Sequence, residues 1–485
     1  MLAMNLDQFQ TPLADRLHTS AQSKNISFHT PGHHKGQGID SKLKAWWGEA
    51  IFQADLPELP ELDNLFAPNG VIAEAETLAA RAWGSDRTFF LTNGSTAGVI
   101  ASILAVCNPG DSVLVPRNVH RSVISGLILS GANPVFMMPE YDERLGIAHG
   151  ITVDTIANHL ISNPEIKAVL IVNPTYYGVC SDVITIANLV HQYNLPLIVD
   201  EAHGAHFQFH SALPTAALTL GADIVIQSTH KTLSALTQAS MLHMKGDRIC
   251  TDRLAKSLQL IQSTSPSYLL LASLDVARMQ MATQGEILLG NAIDRVQRVR
   301  SQINKIPNLI TLEFIKSPGF HELDPLRITV LIAGMDGFTA DEILNEELGI
   351  TCELPGLQSV TFIATHGTTD TDCDRLLKGL QQLSDRILES QNTNFNYELF
   401  TEIPTIVLSP RDAFFAKSKL IKVNDAIGLI SADLICPYPP GIPIIMPGEQ
   451  ITVNAIVYLQ QIVAAGGILT GCNDDDFQAM RVIDN

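Results

Sequence analysis

Along the first two-thirds of the chain, short apolar runs alternate with longer stretches in which apolar residues recur at helical spacing. That alternation predicts an α/β layer with a mainly parallel sheet. "DSVLVP", "KAVLIVNP", "LPLIVDEAHG" and "ADIVIQSTHK" read as buried strands, each with polar residues at its C-terminal end. Ligands of open α/β sheets bind at such ends. "TFFLTNGSTAGVIASILAV" passes from a short strand through a Gly-Ser-Thr turn into a helix. From "NAIDRVQRVRSQIN", where Ile293, Val296, Val299 and Ile303 keep helical spacing, shorter strands and helices follow and a second unit is expected. "SQNTNFNYE" is the expected joint before a third unit that carries "CPYPPGIPIIMPGEQIT" and a closing helix. The implied division is an arm over 1–45, a major domain over 46–290, a smaller α+β domain over 291–390 and a C-terminal domain over 391–485.

Composition narrows the class. A chain of 485 residues, 46% hydrophobic and 17% charged, is globular and long enough for two or three cores. Its most apolar stretches are broken by Gly, Pro or polar residues before they reach membrane-spanning length. The opening "MLAMNLDQFQTPLADRLHTS" has no basic segment ahead of an apolar one, so no secretory signal is expected. Seven scattered cysteines without a C-x-x-C pair point to free thiols in a reducing, cytoplasmic setting and away from a zinc site. The net charge of −19 disfavours nucleic-acid binding and mildly favours cationic ligands.

Three motifs carry the chemistry. "NGST", with Gly94, Ser95 and Thr96, sits where a strand turns into a helix; it is either an ordinary N-cap or a phosphate cradle of N–H groups and hydroxyls. "VDEAHGAH" ends a buried run with Asp200, Glu201, His203 and His206, which reads as a helix cap, a metal site or a carboxylate for a protonated ring nitrogen. "QSTHKTL" places Ser228, His230 and Lys231 at the end of another such run, after one further helix and strand; Lys231 alone would pass for a solvated loop residue. Taken together in this order, a phosphate cradle, a ring-pairing aspartate and a lysine meet the needs of pyridoxal 5'-phosphate, whose aldehyde takes a lysine amine and whose ring nitrogen needs an acid.

The stretches "FHTPGHHKGQG", "ELDNLFAPNGVIAEAETLAA", "FFLTNGSTAGV", "VPRNVHRSV", "VNPTYYGVCSD", "VDEAHGAHFQFH", "QSTHKTLSALTQASMLH", "STSPSYLLLASLDVAR" and "YPPGIPIIMPGE" resemble the ornithine/lysine/arginine decarboxylases of fold type I, in their short bacterial form, nearly end to end. The resemblance implies an aspartate aminotransferase-like α/β major domain and decarboxylation of a basic amino acid: arginine first, then lysine or ornithine. It implies that Gly94, Ser95, Thr96 and Ser228 hold the phosphate and that His120 stacks on the ring. Asp200 would pair with the ring nitrogen, His203 would lie beside the ring, and His230 precedes the cofactor-bearing Lys231. Lys231 or His230 would return the proton. Thr264 and Ser265 of "STSPSY" would reach a neighbouring subunit's site in a homodimer or larger homo-oligomer, and Glu449 of "MPGE" would face the substrate's cation, with Asp63 next in line. The early position of Thr30 to His33 implies no N-terminal wing domain, and Leu429 and Asp433 stand where Arg and Glu are expected. Another fold-type I reaction, or a non-catalytic relative, would use the same cofactor residues.

Overall fold

The computed structural model describes residues 7–142, 145–387, 402–438, 441–472 and 476–484. Its central sheet has seven strands: β1 (Arg87–Leu91), β2 (Ser112–Pro116), β3 (Asn133–Met137), β4 (Ile166–Val172), β5 (Leu197–Asp200), β6 (Ile224–Gln227) and β7 (Ser240–Met244), in the order β1-β7-β6-β5-β4-β2-β3. The five strands from β6 to β3 are parallel, whereas β7 runs antiparallel to both β6 and β1. From β2 the chain moves outward to β3 and then returns past β2 to β4. Strand order therefore reverses beside β2, where open sheets form a ligand crevice.

The helix Gly94–Val106 is apolar nearly all round because it lies between the sheet and neighbouring helices. Gly98 permits its close approach: a Cβ there would meet Ile226 Cγ2 at 2.7 Å and Leu91 Cδ1 at 2.9 Å. This contact fixes the helix N-terminus at the strand ends. The helix expected between Asp200 and Lys231 is absent; after β5 the chain makes turns and a short 3₁₀ segment, Phe207–Phe209, before β6. Gly204, Pro214 and Gly221 punctuate that stretch, and Gly221 adopts a positive φ of 106°.

A helix of 36 residues, Tyr268–Ile303, leads out of the major domain, so the division expected at 290/291 falls inside it. Beyond it lies a four-stranded antiparallel sheet in the order Leu309–Thr311, Arg327–Ile332, Ser359–Ile363, Leu354–Pro355. One apolar core runs from Leu13, Phe90 and Met241 through Leu274, Leu289 and Val296 to Val330 and Phe362. The last unit has its own core around Ile435, Ile445, Leu459, Phe477 and Met480. The expected joint lies outside the described residues.

Candidate active site

Five strand ends open into one cavity of about 380 Å³. Asn93 to Thr96 follow β1, His120 follows β2, and Pro174 and Tyr176 follow β4. Asp200 and His203 close β5, and Ser228, His230 and Lys231 follow β6. Glu353 and Leu354 of the second sheet, with Tyr438 of the last unit, complete the wall.

At the β1 end, Gly94 takes a φ of 73° and opens its helix, and Asn93 caps it without a side-chain bond. The first N–H groups and the positive end of the helix dipole are thus left for an anion. Ser228 Oγ donates to Ser95 Oγ at 2.8 Å and draws both hydroxyls to the same place. On the cavity floor Asp200 is buried and its Oδ1 accepts the Ala202 N–H at 3.2 Å. Burial pushes its carboxyl up, against the opposing pull of Lys231 and that N–H. Such a carboxylate gains from a cationic partner.

His120 caps its own helix. Its Nδ1 accepts the Ser122 N–H at 3.2 Å and meets Ser122 Oγ at 2.8 Å, so a neutral ring carries its proton on Nε2. Burial, then the charges of Lys231 and Arg121, push this imidazole down to about 4. His230 Nδ1 lies 3.0 Å from the Ala239 carbonyl, which only accepts, so this nitrogen holds the proton and Nε2 is bare.

Lys231 sits in a single helical turn, Thr229–Thr232, directly after β6. Its Nζ lies 3.0 Å from His203 Nε2, and His203 Nδ1 lies 3.1 Å from Arg327 Nη2. Burial depresses the lysine, opposed by Asp200 and Glu353. The Tyr176 ring is 4.8 Å from the His203 ring and 5.9 Å from Lys231 Nζ.

Gly94, Ser95, Thr96, His120, Asp200, His203, Ser228, His230 and Lys231 therefore share one cavity. Thr264 and Ser265 do not enter it; they lie exposed in the turn ahead of the long helix. Glu449 is not brought there either. Only 2% exposed, it pairs with Arg117, Oε1 to Nη1 at 3.2 Å and Oε2 to Nη2 at 3.2 Å, and accepts the Met446 N–H at 3.0 Å. The proline-rich run directs this carboxylate at the residue just past β2, so the expectation of a substrate-side Glu449 gives way to a contact between units. Asp63 is likewise occupied, accepting N–H groups from Asn64, Asn69, Gly70, Ile72 and Ala73. Burial raises its carboxyl, and the backbone bonds outweigh that and hold it below the usual range. Asp433 accepts the Arg481 N–H at 2.7 Å, and Leu429 is exposed.

Sequence reasoning missed Tyr176, Arg327, Glu353 and Tyr438. Tyr176 had a legible signal, two residues beyond a strand-ending "NP". Arg327 and Glu353 had none, because their approach to Lys231 depends on how the second sheet docks.

Pyridoxal phosphate matches this donor set: an anion cradle at one end, a buried carboxylate under the middle, and an amine beside an imidazole. Comparison with known proteins places the chain in a family. The Orn/Lys/Arg decarboxylase major domain matches residues 11–377, and the C-terminal domain of the same family matches residues 393–475. The chain is similar to an arginine decarboxylase of Bacillus subtilis, 39% identical over 99% of both chains, and to one of Bacillus anthracis, 40% identical over 99% of this chain and 98% of that one. In structure it is similar to the Francisella novicida lysine decarboxylase LdcF, with a TM-score of 0.84 at 25% identity, covering 98% of this chain and 81% of that one.

Proposed function

Because the chain belongs to the Orn/Lys/Arg decarboxylase family, and is thus a carboxy-lyase of the expected α/β fold, we propose that it converts L-arginine to agmatine and CO2 with pyridoxal phosphate held in the Lys231 cavity. The observation that carries this reading is the meeting of Lys231, Asp200 and the Ser95/Ser228 hydroxyl pair in that one cavity. When bound, the cofactor supplies an electron sink for the bond between Cα and the departing carboxylate.

The chain's own groups supply the rest. The N-terminus of Gly94–Val106, with Ser95, Thr96 and Ser228, binds the phosphate. Asp200 would hold a proton on the ring nitrogen of the bound cofactor, an electrostatic contribution to its capacity as electron sink. His120, neutral by burial, covers the ring without adding a competing positive charge. Lys231 anchors the aldehyde. The return of a proton to Cα falls to Lys231 rather than His230, whose one proton is committed to the Ala239 carbonyl.

Recognition of the basic side chain is assigned to Glu353. Of the two carboxylates that line the cavity, Asp200 is buried and Glu353 is exposed. A guanidinium engages both oxygens of a carboxylate, which favours arginine over lysine. The active unit is a homodimer or larger homo-oligomer in which Thr264 and Ser265 reach a neighbour's site, and it works in the cytoplasm. Among the described residues no helix is long and apolar enough to cross a membrane.

The test is a product assay on arginine, lysine and ornithine, with CO2 and amine measured together. Equal amounts of CO2 and agmatine, with the highest kcat/KM for arginine, are expected; amino transfer without CO2 would overturn the reading. Glu353→Gln should raise KM for arginine at least about tenfold, as loss of a charged partner commonly does, and leave cofactor absorbance unchanged. An unchanged KM would remove Glu353 from the substrate site.

A further inference from the structure

Arg327 opens a strand of the second sheet, is only 1% exposed, and is not on the cavity wall. Its neighbourhood is built to admit it. Gly178, at a φ of 84°, lies so close that a Cβ would meet Arg327 Cβ at 2.8 Å, and the paired strands Val179–Cys180 and Glu322–Leu323 hold the two units together beside it. Yet its side chain makes one hydrogen bond among the described residues, from Nη2 to His203 Nδ1, and Nε and Nη1 have no partner there. Burying a guanidinium for a single bond is costly. The bond therefore calls for a role.

Donor counting supplies one. A guanidinium has only N–H donors, so His203 Nδ1 must be the bare, accepting nitrogen. A neutral ring then carries its proton on Nε2, which points at Lys231 Nζ 3.0 Å away. An ammonium also has only donors, and a second N–H facing it would be repelled. Both contacts of the His203 ring are hydrogen bonds only when Nε2–H donates to the lone pair of an uncharged amine.

We propose that Arg327 is a positioning residue that fixes His203 as its Nε2–H tautomer and thereby keeps the Lys231 amine neutral and ready to attack an aldehyde. Other groups face the same amine. Asp200 and Glu353 favour its charged form, His120 and Tyr176 lie beside it, and Asp324, which pairs with His206 at 3.2 Å, offsets part of the Arg327 charge. Burial and Arg327 act against the two carboxylates. The inference rests on the reading that Lys231 is the attachment lysine.

The experiment is competitive labelling of the full-length, cofactor-free chain with trace acetic anhydride across a pH series. Nζ attacks one carbonyl carbon, acetate leaves, and the amine loses a proton to solvent. The extent at Lys231 is read by peptide mass against the exposed Lys24 and Lys256 as internal references. In the native chain Lys231 should reach half-maximal reactivity at a distinctly lower pH than the references. Arg327→Met removes both the donor and the charge, and should lower Lys231 reactivity at pH 8 at least fivefold, a factor expected from a shift of roughly a pH unit. Arg327→Lys, which keeps both, should recover at least half of it. A native Lys231 that titrates with the references overturns the proposal without any variant, which covers the case of Arg327→Met failing to fold. A Met variant that folds and keeps the native midpoint also overturns it. If borohydride reduction of the holoenzyme leaves no cofactor on Lys231, the functional reading falls instead, so the two failures are distinguishable.

Discussion

Replacing Glu449 by alanine is expected to loosen the C-terminal unit and leave substrate affinity alone. Its carboxylate meets Arg117 through both oxygens at 3.2 Å and accepts the Met446 N–H at 3.0 Å, while Arg117 also donates to the Ile444 carbonyl at 2.9 Å. The two side chains are 3% and 9% exposed. Removing the acid leaves a buried guanidinium without its anion and an N–H without its acceptor, a loss of about 3–5 kcal/mol. Glu449→Gln should cost less than half of that. Burial outweighs Arg117 and pushes this carboxyl above the usual range, and glutamine keeps an oxygen that can accept the Met446 N–H. Replacing the pair together, Arg117→Met with Glu449→Leu, should recover most of the loss. The assay is hydrogen exchange of peptides spanning Cys436–Cys472, which reads local opening rather than global unfolding of a multi-unit chain. At about 1.4 kcal/mol per factor of ten, exchange should accelerate by roughly 10²-fold to several thousandfold in Glu449→Ala. KM for arginine should stay within about twofold. Unchanged exchange with a KM raised tenfold would refute the reasoning and return Glu449 to the substrate.

Asp200→Asn should retain cofactor but lower kcat by at least about 10²-fold, as the loss of one well-placed electrostatic partner does; near-native kcat would rule out its role at the ring nitrogen. His243, bonded to Thr88 and Gln227, is pushed by burial from 6.5 down to about 3. The unfolded chain therefore binds a proton that the folded one refuses. The stability His243 contributes is whole above about pH 6.5 and is lost as pH falls toward about 3, at up to ~1.4 kcal/mol per unit. Melting temperature should drop less steeply between pH 6.5 and 4.5 in His243→Gln than in the native chain, and parallel curves would exclude the effect. Mixing Lys231→Ala subunits with Thr264→Ala/Ser265→Ala subunits should restore activity in hybrid dimers that hold one intact site; no recovery after demonstrated exchange would argue against shared sites.

The parts of this molecule legible in its sequence are those fixed by local pattern. β2, β4, β5 and β6 are continuous apolar runs and were readable as such, and the glycine-opened helix after β1 announced its own start. β3 begins "NPVFM" and β7 reads "SMLHM", where a proline and a buried histidine mask the strand signal. Most residues gathered in the cavity were legible because they sit at or just past the ends of those strands, whereas Thr264 and Ser265 do not. Glu449 misled because a carboxylate ending a rigid turn reads alike whether it faces a ligand or an arginine 332 positions away in the chain. Glu353 and Arg327 were silent because nothing in their neighbours records which surface the second sheet meets.

The 36-residue helix that crosses from one unit to the next is about 54 Å long at 1.5 Å per residue, and it is sealed into one apolar core along both halves. It acts as a caliper beam. Lys231 stands on one jaw and Glu353 on the other, and both line the same cavity. Substrates would then be sorted by reach, each extra methylene either spanning the opening or falling short. Lengthening the beam by one residue would turn one jaw by about 100° and shift it by about 1.5 Å, so the opening that Glu353 is proposed to guard depends on the register of this helix.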